Sequence, residues 1–232
     1  MRLSAVCCLA SLVALPAAGC EVALLLAVDV SGSVDRREFA VQMQGLAEGL
    51  RDPVVSGALA RGQSAVALMQ WTGASRQVLS VGWTRITGPA DVEALAARIT
   101  RLPRVWTEFS TAIGQAMTYG SGVFDRAPAC RRRVMDVSSD GRNNEGTEPA
   151  EVKPVMDSLA IIVNALVIRG DDAGLPAYFA ENVMTGPNAF VVTAEDYDDY
   201  AERMRRKLRR ETERAVSALP VEAIPARYAP RP

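Results

Sequence analysis

Val22-Ala-Leu-Leu-Leu-Ala-Val28 is an unbroken apolar run that stops at Asp29. A run of that length with no polar alternate reads as a central parallel strand covered on both faces. Phe39, Met43, Leu46 and Leu50 follow at spacings of four, three and four, which predicts a helix with one buried stripe. Ala65 to Trp71 and Gln77 to Val81 read as two strands joined by Thr72-Gly73-Ala74-Ser75, a turn short enough for a hairpin. Val92, Leu95, Ile99 and Leu102 predict a second amphipathic helix between Pro89 and Pro103. Further along, the pattern predicts a helix from Phe109 to Tyr119, a strand from Val134 to Ser139 and a helix from Pro149 to Leu159. A strand from Ile161 to Ile168, a short helix from Pro176 to Val183 and a short strand from Ala189 to Thr193 come next. A long helix from Glu195 to Ala218 closes the series. Its acidic start (Glu195, Asp196, Asp198, Asp199) and basic later turns (Arg205, Arg206, Lys207, Arg209, Arg210) suit the helix macrodipole and read as a solvated face.

Strands alternating with helices after a single hairpin define an α/β domain. The expected core is a mainly parallel six-stranded sheet with one antiparallel edge strand and helices on both faces. No internal repeat or second domain is visible. In such sheets ligands bind beyond the carboxyl ends of the strands, where strand order reverses, so the residues that end strands carry the functional reading.

Composition narrows the chemistry. The 232 residues are 49% hydrophobic, with 26 basic and 27 acidic side chains and a net charge of −1. That balance suits one domain with a full core and offers no global attraction to nucleic acid. Histidine is absent. This excludes Ser-His-Asp and Cys-His nucleophiles and His-ligated metal sites, and leaves oxygen ligands, carboxylates and amides.

Arg2, the apolar stretch Leu3 to Leu15 and Pro16-Ala17-Ala18-Gly19 before Cys20 read as a signal peptide over residues 1–19. The stretch is shorter than the about 20 residues that span a bilayer. The expected organisation is a folded domain over 20–218 and a proline-rich flexible tail over 219–232, in a periplasmic or secreted protein. Cleavage would remove Cys7 and Cys8 and keep Cys20 and Cys130, and two cysteines in an exported chain invite a disulfide. The alternatives are an unpaired buried cysteine or a lipid anchor on Cys20. The anchor is disfavoured because Ala17 is small for a lipobox and almost no linker separates Cys20 from the first strand.

The strand ends share one kind of chemistry. Asp29-Val-Ser31-Gly-Ser33 follows the first strand, Asp140-Gly141 follows the fourth, and Thr107 opens the segment Thr107-Glu-Phe-Ser-Thr-Ala112-Ile113. Two carboxylates and three hydroxyls make a hard, all-oxygen donor set suited to Mg²⁺, Mn²⁺ or Ca²⁺. Positions 29, 31 and 33 can point one way from an extended turn, with Gly32 allowing the backbone to bend. A plain alternative is that Asp29, Ser31 and Ser33 cap the next helix.

Asp29-x-Ser31-x-Ser33, Thr107 with Ala112-Ile113, and Asp140-Gly141 together resemble the metal-ion-dependent adhesion site of von Willebrand factor A domains. Cys20-Glu-Val-Ala-Leu, Val134-Met-Asp-Val-Ser-Ser-Asp-Gly-Arg-Asn-Asn and Gly186-Pro-Asn-Ala-Phe-Val further resemble a bacterial family of exported A-like proteins of unknown function. The resemblance implies a Rossmann-like fold in which Ser31, Ser33 and Thr107 meet a divalent cation directly or through water, with Asp29 and Asp140 ligating or holding those waters. Family members usually carry glycine before the threonine, and here Val105-Trp106 stand there, which leaves Ser110 and Thr111 as alternatives to Thr107. The resemblance also implies that the first and fourth strands are parallel neighbours. Matching their aspartate ends would then bring Cys20 and Cys130 together in a disulfide.

Trp71, Trp106 and Phe109 are candidates for the rim of the site, as are Arg142, Asn143, Asn144 and Glu145 in the loop after Asp140. Asp136 lies inside an apolar strand and needs a partner that the sequence does not name. The expected function is cation-dependent binding of a protein ligand that presents an Asp or Glu carboxylate. A Mg²⁺-dependent hydrolase or phosphatase is the second reading, although no Gly-rich phosphate loop, Walker lysine or second Asp after Asp29 accompanies it. A structural A-like domain with an empty site is the third.

Overall fold

The structure is a computed structural model that describes residues 19–217, with side chains to 213. The expected leader, apart from residue 19, and the expected tail over 219–232 lie outside the described residues. Six strands, β1 (Cys20–Asp29), β2 (Ala65–Trp71), β3 (Gln77–Arg85), β4 (Cys130–Ser139), β5 (Ile161–Ile168) and β6 (Val191–Ala194), form one sheet in the order β3-β2-β1-β4-β5-β6. Every pairing is parallel except β2 with β3, the expected hairpin at one edge.

The apolar run of β1 is buried from end to end because the strand is central and both of its faces are covered. Val22, Leu24, Leu26 and Val28 face one layer, which contains α1 (Arg36–Arg51), α2 (Pro53–Arg61), α3 (Pro89–Ile99) and α7 (Tyr200–Ser217). Ala23, Leu25 and Ala27 face the other, which contains α4 (Ile113–Val123), α5 (Pro149–Ser158) and α6 (Leu175–Asn182). The chain leaves β1 for β2 on one side and places β4 on the other, so strand order reverses between β1 and β4. The crevice beyond Asp29 and Ser139 therefore stands at the switch point.

Several element boundaries differ from those read in the sequence. Helix α2 was not expected; a single residue, Asp52, separates it from α1 and caps it by accepting from the N–H groups of Val54 and Val55, with Pro53 at its first turn. Strand β4 starts at Cys130 and not at Val134, because Arg131 and Arg133 are exposed where the strand leaves the core and so interrupt the apolar run. Helix α4 starts at Ile113 and not at Phe109. The N–H of Thr111 is taken by Asn144 Oδ1 and that of Ala112 by the carbonyl of Thr72, which holds the preceding residues in a loop. The last helix starts at Tyr200, since Asp196 Oδ1 accepts from the N–H groups of Asp198 and Asp199 and ties residues 196–199 into a turn.

That helix is not a plain solvated face. Arg209 and Arg205 reach Asp52, and Lys207 is fully buried against Asp136 and Glu211. Lys207 is thus the partner that Asp136 required. At the opposite end of the sheet from the crevice, Cys20 and Cys130 sit in register and form a disulfide with a Cα separation of 4.3 Å. The disulfide leaves Cys20 without the thiol that a lipid anchor would need. No described helix is long and apolar enough to cross a membrane.

Candidate metal centre

Asp29, the last residue of β1, is fully buried. Its Oδ1 accepts from the N–H of Ser31 at 2.7 Å and its Oδ2 from Ser139 Oγ at the end of β4. The turn that follows places Ser31 Oγ 3.2 Å from Ser33 Oγ, and Ser33 Oγ donates to Asp140 Oδ1 at 2.6 Å. Asp140 is held from a further side, where Tyr197 donates its hydroxyl to Oδ2 at 3.0 Å. Helix capping does not account for this turn. Asp35 is the N-cap of α1, in a capping box with Glu38, and Ser31 and Ser33 are left to face Asp140. Gly32 takes no left-handed φ, and a Cβ there would meet Phe109 O at an ordinary 3.5 Å, so the backbone does not demand glycine at this position.

The structure brings Asp29, Ser31, Ser33 and Asp140 together and leaves Thr107 outside. Thr107 is exposed, and its carbonyl meets only the far end of Arg104, at 3.5 Å. Thr111 is buried and its hydroxyl lies beside the residue after Asp140: a Cβ on Gly141 would be 3.4 Å from Thr111 Oγ1. The segment from 107 to 112 is a loop and not the first turns of a helix, and it sets Thr111 inward and Thr107 in solvent. Ser110 is exposed, and its carbonyl accepts from Thr72.

The candidate rim divides. Trp71 is fully buried among Met69, Ala67 and the α4 side of the core, because it occupies an inward-facing position of β2; it does not reach the rim. Trp106 is half-buried against the other core layer. Asn143 and Asn144 serve the scaffold: Asn143 Oδ1 caps α4 by accepting from the N–H groups of Ile113 and Gly114, and Asn144 Oδ1 holds Thr111. Arg142 is exposed, paired with Asp172 and set over the Tyr178 ring. Phe109 is 38% exposed. Two residues that the sequence reading passed over belong to the site. Tyr197 orients Asp140, and Arg104 donates to the carbonyls of Ser31 at 2.8 Å and Val30 at 3.2 Å, fixing the turn from below.

Burial and mutual repulsion dominate the electrostatics of the two acids. Burial pushes the Asp29 carboxyl up to about 7, the neighbouring Asp140 pushes it further in the same direction, and hydrogen bonds from Ser139 and Ser31 oppose both. Among the described residues no basic side chain forms an ion pair with Asp29 or Asp140. No described group of three or more His, Cys, Asp or Glu gathers to hold a metal by itself. The donor set here is two carboxylates with three hydroxyls, which is hard and oxygen-only and suits Mg²⁺ or Mn²⁺.

A six-stranded, mainly parallel sheet with one antiparallel edge and this cluster at its switch point has the fold of von Willebrand factor A domains. The chain belongs to the family described as "Protein of unknown function (DUF1194)", whose model matches residues 19–216. A search of curated proteins found no match. Among solved structures the chain is similar to proximal thread matrix protein 1 from the mussel byssus, with a TM-score of 0.63, 13% identity, and coverage of 84% of this chain and 47% of that one. The same mussel protein has been solved with a zinc-occupied MIDAS motif. The chain is also similar to a von Willebrand factor type A protein from Catenulispora acidiphila, with a TM-score of 0.58, 18% identity and coverage of 84% and 43%. A third similar structure is the pilus adhesin SpaC from Lactobacillus rhamnosus GG, with a TM-score of 0.58, 16% identity and coverage of 84% and 30%. The chain thus spans less than half the length of each of these three proteins.

Proposed function

We propose that this chain is an exported interaction module that holds a divalent cation at Asp29, Ser31, Ser33, Thr111 and Asp140 and binds a protein ligand through a ligand carboxylate. Thr111 here takes the place expected of Thr107. The observation that carries the reading is the buried Asp29 set beside Asp140 and ringed by hydroxyls, with no described basic side chain to offset the charge. Mg²⁺ is the favoured ion, with Mn²⁺ or Ca²⁺ as alternatives; a bound ion supplies a positive contact point with a position open to exchange.

The chain's own residues prepare that contact. Ser139 and the Ser31 N–H orient the Asp29 carboxylate, Tyr197 orients Asp140, and Arg104 fixes the carbonyl side of the turn. Ser33 is exposed while its hydroxyl still meets Asp140, so the cluster opens to solvent on its side and a ligand approaches from there. A matrix protein and an adhesin among the solved neighbours favour binding over catalysis. The test is a pull-down from the cell envelope of the native host with the full chain as bait. A protein retained in Mg²⁺, released by chelator and not captured by Asp29→Ala supports the reading. A partner that binds equally well in chelator, or to Asp29→Ala, overturns it.

A further inference from the structure

We propose that Arg76, stacked on Phe109 beside the cation site, receives a second acidic side chain of the ligand, so that the partner presents a pair of acids and not a lone carboxylate. The proposal rests on the cation-dependent reading above and names the ligand chemistry of that site more narrowly.

Phe109 is tied to the metal turn itself. Its carbonyl accepts from the N–H of Gly32, between Ser31 and Ser33, at 2.8 Å. The loop that carries it is pinned at both ends, by Arg104 on the Val30 and Ser31 carbonyls and by Thr111 on Asn144. Between those anchors Val105 and Phe109 remain 45% and 38% exposed. The loop is thus fixed at its ends and presents these two apolar side chains to solvent next to the site.

Arg76 stands at the end of the β2–β3 turn with its guanidinium 3.6 Å from the centre of the Phe109 ring. Stacking fixes the plane of the guanidinium while its edge N–H groups stay free to donate, which is the arrangement that recognises a carboxylate. Two exposed arginines near the rim are engaged, Arg142 with Asp172 and Arg37 with Asp198. Arg76 forms no ion pair with any described residue. The acid that comes near is Glu145. Its Oε2 and Arg76 Nη1 lie 2.8 and 3.2 Å from where a Cβ on Gly73 would be, but the two side chains do not pair.

Charge explains why a fixed guanidinium belongs there. Asp29 and Asp140 repel any acid beyond the one that meets the cation, so a second acid is tolerated only where a positive group offsets that repulsion. In an extended ligand, residues two apart point the same way and lie about 6.5–7 Å from each other. With one such acid on the cation, the proposed contact places a second at Arg76.

The test selects a phage-displayed random heptapeptide library on the immobilised full chain in Mn²⁺ and releases bound clones with chelator. The expected peptides carry two acidic residues a few positions apart. They should bind Arg76→Glu at least about tenfold more weakly and Phe109→Ala measurably more weakly, while both variants keep Mn²⁺ affinity within about twofold of the parent. Peptides with a single acid, or peptides that bind Arg76→Glu as well as the parent, would overturn this contact and leave the cation-dependent reading standing. No chelator-released clone, or clones that bind equally in chelator, would overturn the cation-dependent reading and this contact with it.

Discussion

Lys207 lies in the middle of α7 with no part of its side chain in solvent, and its ammonium pairs with Asp136 in β4 and with Glu211 one turn later at 2.8 Å. Glu211 Oε1 also accepts from Asn164 in β5, so the group ties the last helix to two central strands. Burial pushes the Asp136 carboxyl up to about 7, Lys207 pulls the other way, and Glu211 adds to the rise. Burial also works against the ammonium, but Asp136 and then Glu211 outweigh it and hold the Lys207 proton above the ordinary lysine range. Lys207→Met keeps the length of the side chain and removes the charge. Two carboxylates then remain buried without their cation, which costs about 3–5 kcal/mol, or about 6–20 °C in melting temperature for a chain of this size. The sign of the pH effect follows from Asp136. Its folded pKa is raised above the unfolded value, and more so without the ammonium, so the deficit against the parent grows as pH rises above about 7 and shrinks as falling pH neutralises the carboxyl. Urea unfolding followed by circular dichroism at pH 8 and pH 5, comparing variant with parent at each pH, measures both quantities. A variant within about 1 kcal/mol of the parent at pH 8, or a deficit unchanged at pH 5, would refute the reasoning.

Two further outcomes are expected. Replacing both cysteines by alanine opens a link between positions 110 apart and should lower stability by about 2–4 kcal/mol in thermal melts. Mn²⁺ affinity should stay within about twofold, because the disulfide joins the strand starts and the cation site lies beyond their ends. Tyr197→Phe removes the hydroxyl that holds Asp140 and should weaken Mn²⁺ by roughly tenfold in calorimetry, the equivalent of about 1.5 kcal/mol for a hydrogen bond to a charged group. An unchanged affinity would mean that Asp140 needs no orientation.

The parts of this protein legible in its sequence are those where burial is complete or chemistry is local. Strand β1 announces itself because both of its faces are covered, so no polar residue interrupts it. Asp29-x-Ser31-x-Ser33 and Asp140-Gly141 could be singled out because they end strands that meet at a switch point, and the structure brings these residues together. The threonine was harder. Thr107 and Thr111 stand in one irregular loop whose shape depends on Asn143, Asn144 and Thr72, all remote in sequence, so spacing alone does not decide between them. Trp71 ends a strand but alternates inward, and counting from Ala67 and Met69 would have placed it in the core. Lys207 looked solvated because its helix is rich in charge; its burial depends on Asp136 in another element, although the unpaired acid in an apolar strand and the Lys207 to Glu211 spacing of one turn were both available as signals. Nothing local marks Tyr197, whose role arises from the turn before α7 folding over Asp140.

The central claim is that the oxygen cluster at the ends of β1 and β4 binds a divalent cation with Thr111 as its threonine. Calorimetric titration of Mn²⁺ into the chelator-treated full chain tests it most directly. One saturable site is expected, lost in Asp140→Ala, weakened by at least about tenfold in Thr111→Val and changed by less than about twofold in Thr107→Val. No saturable site in the parent chain, or a loss in Thr107→Val while Thr111→Val binds normally, would contradict it.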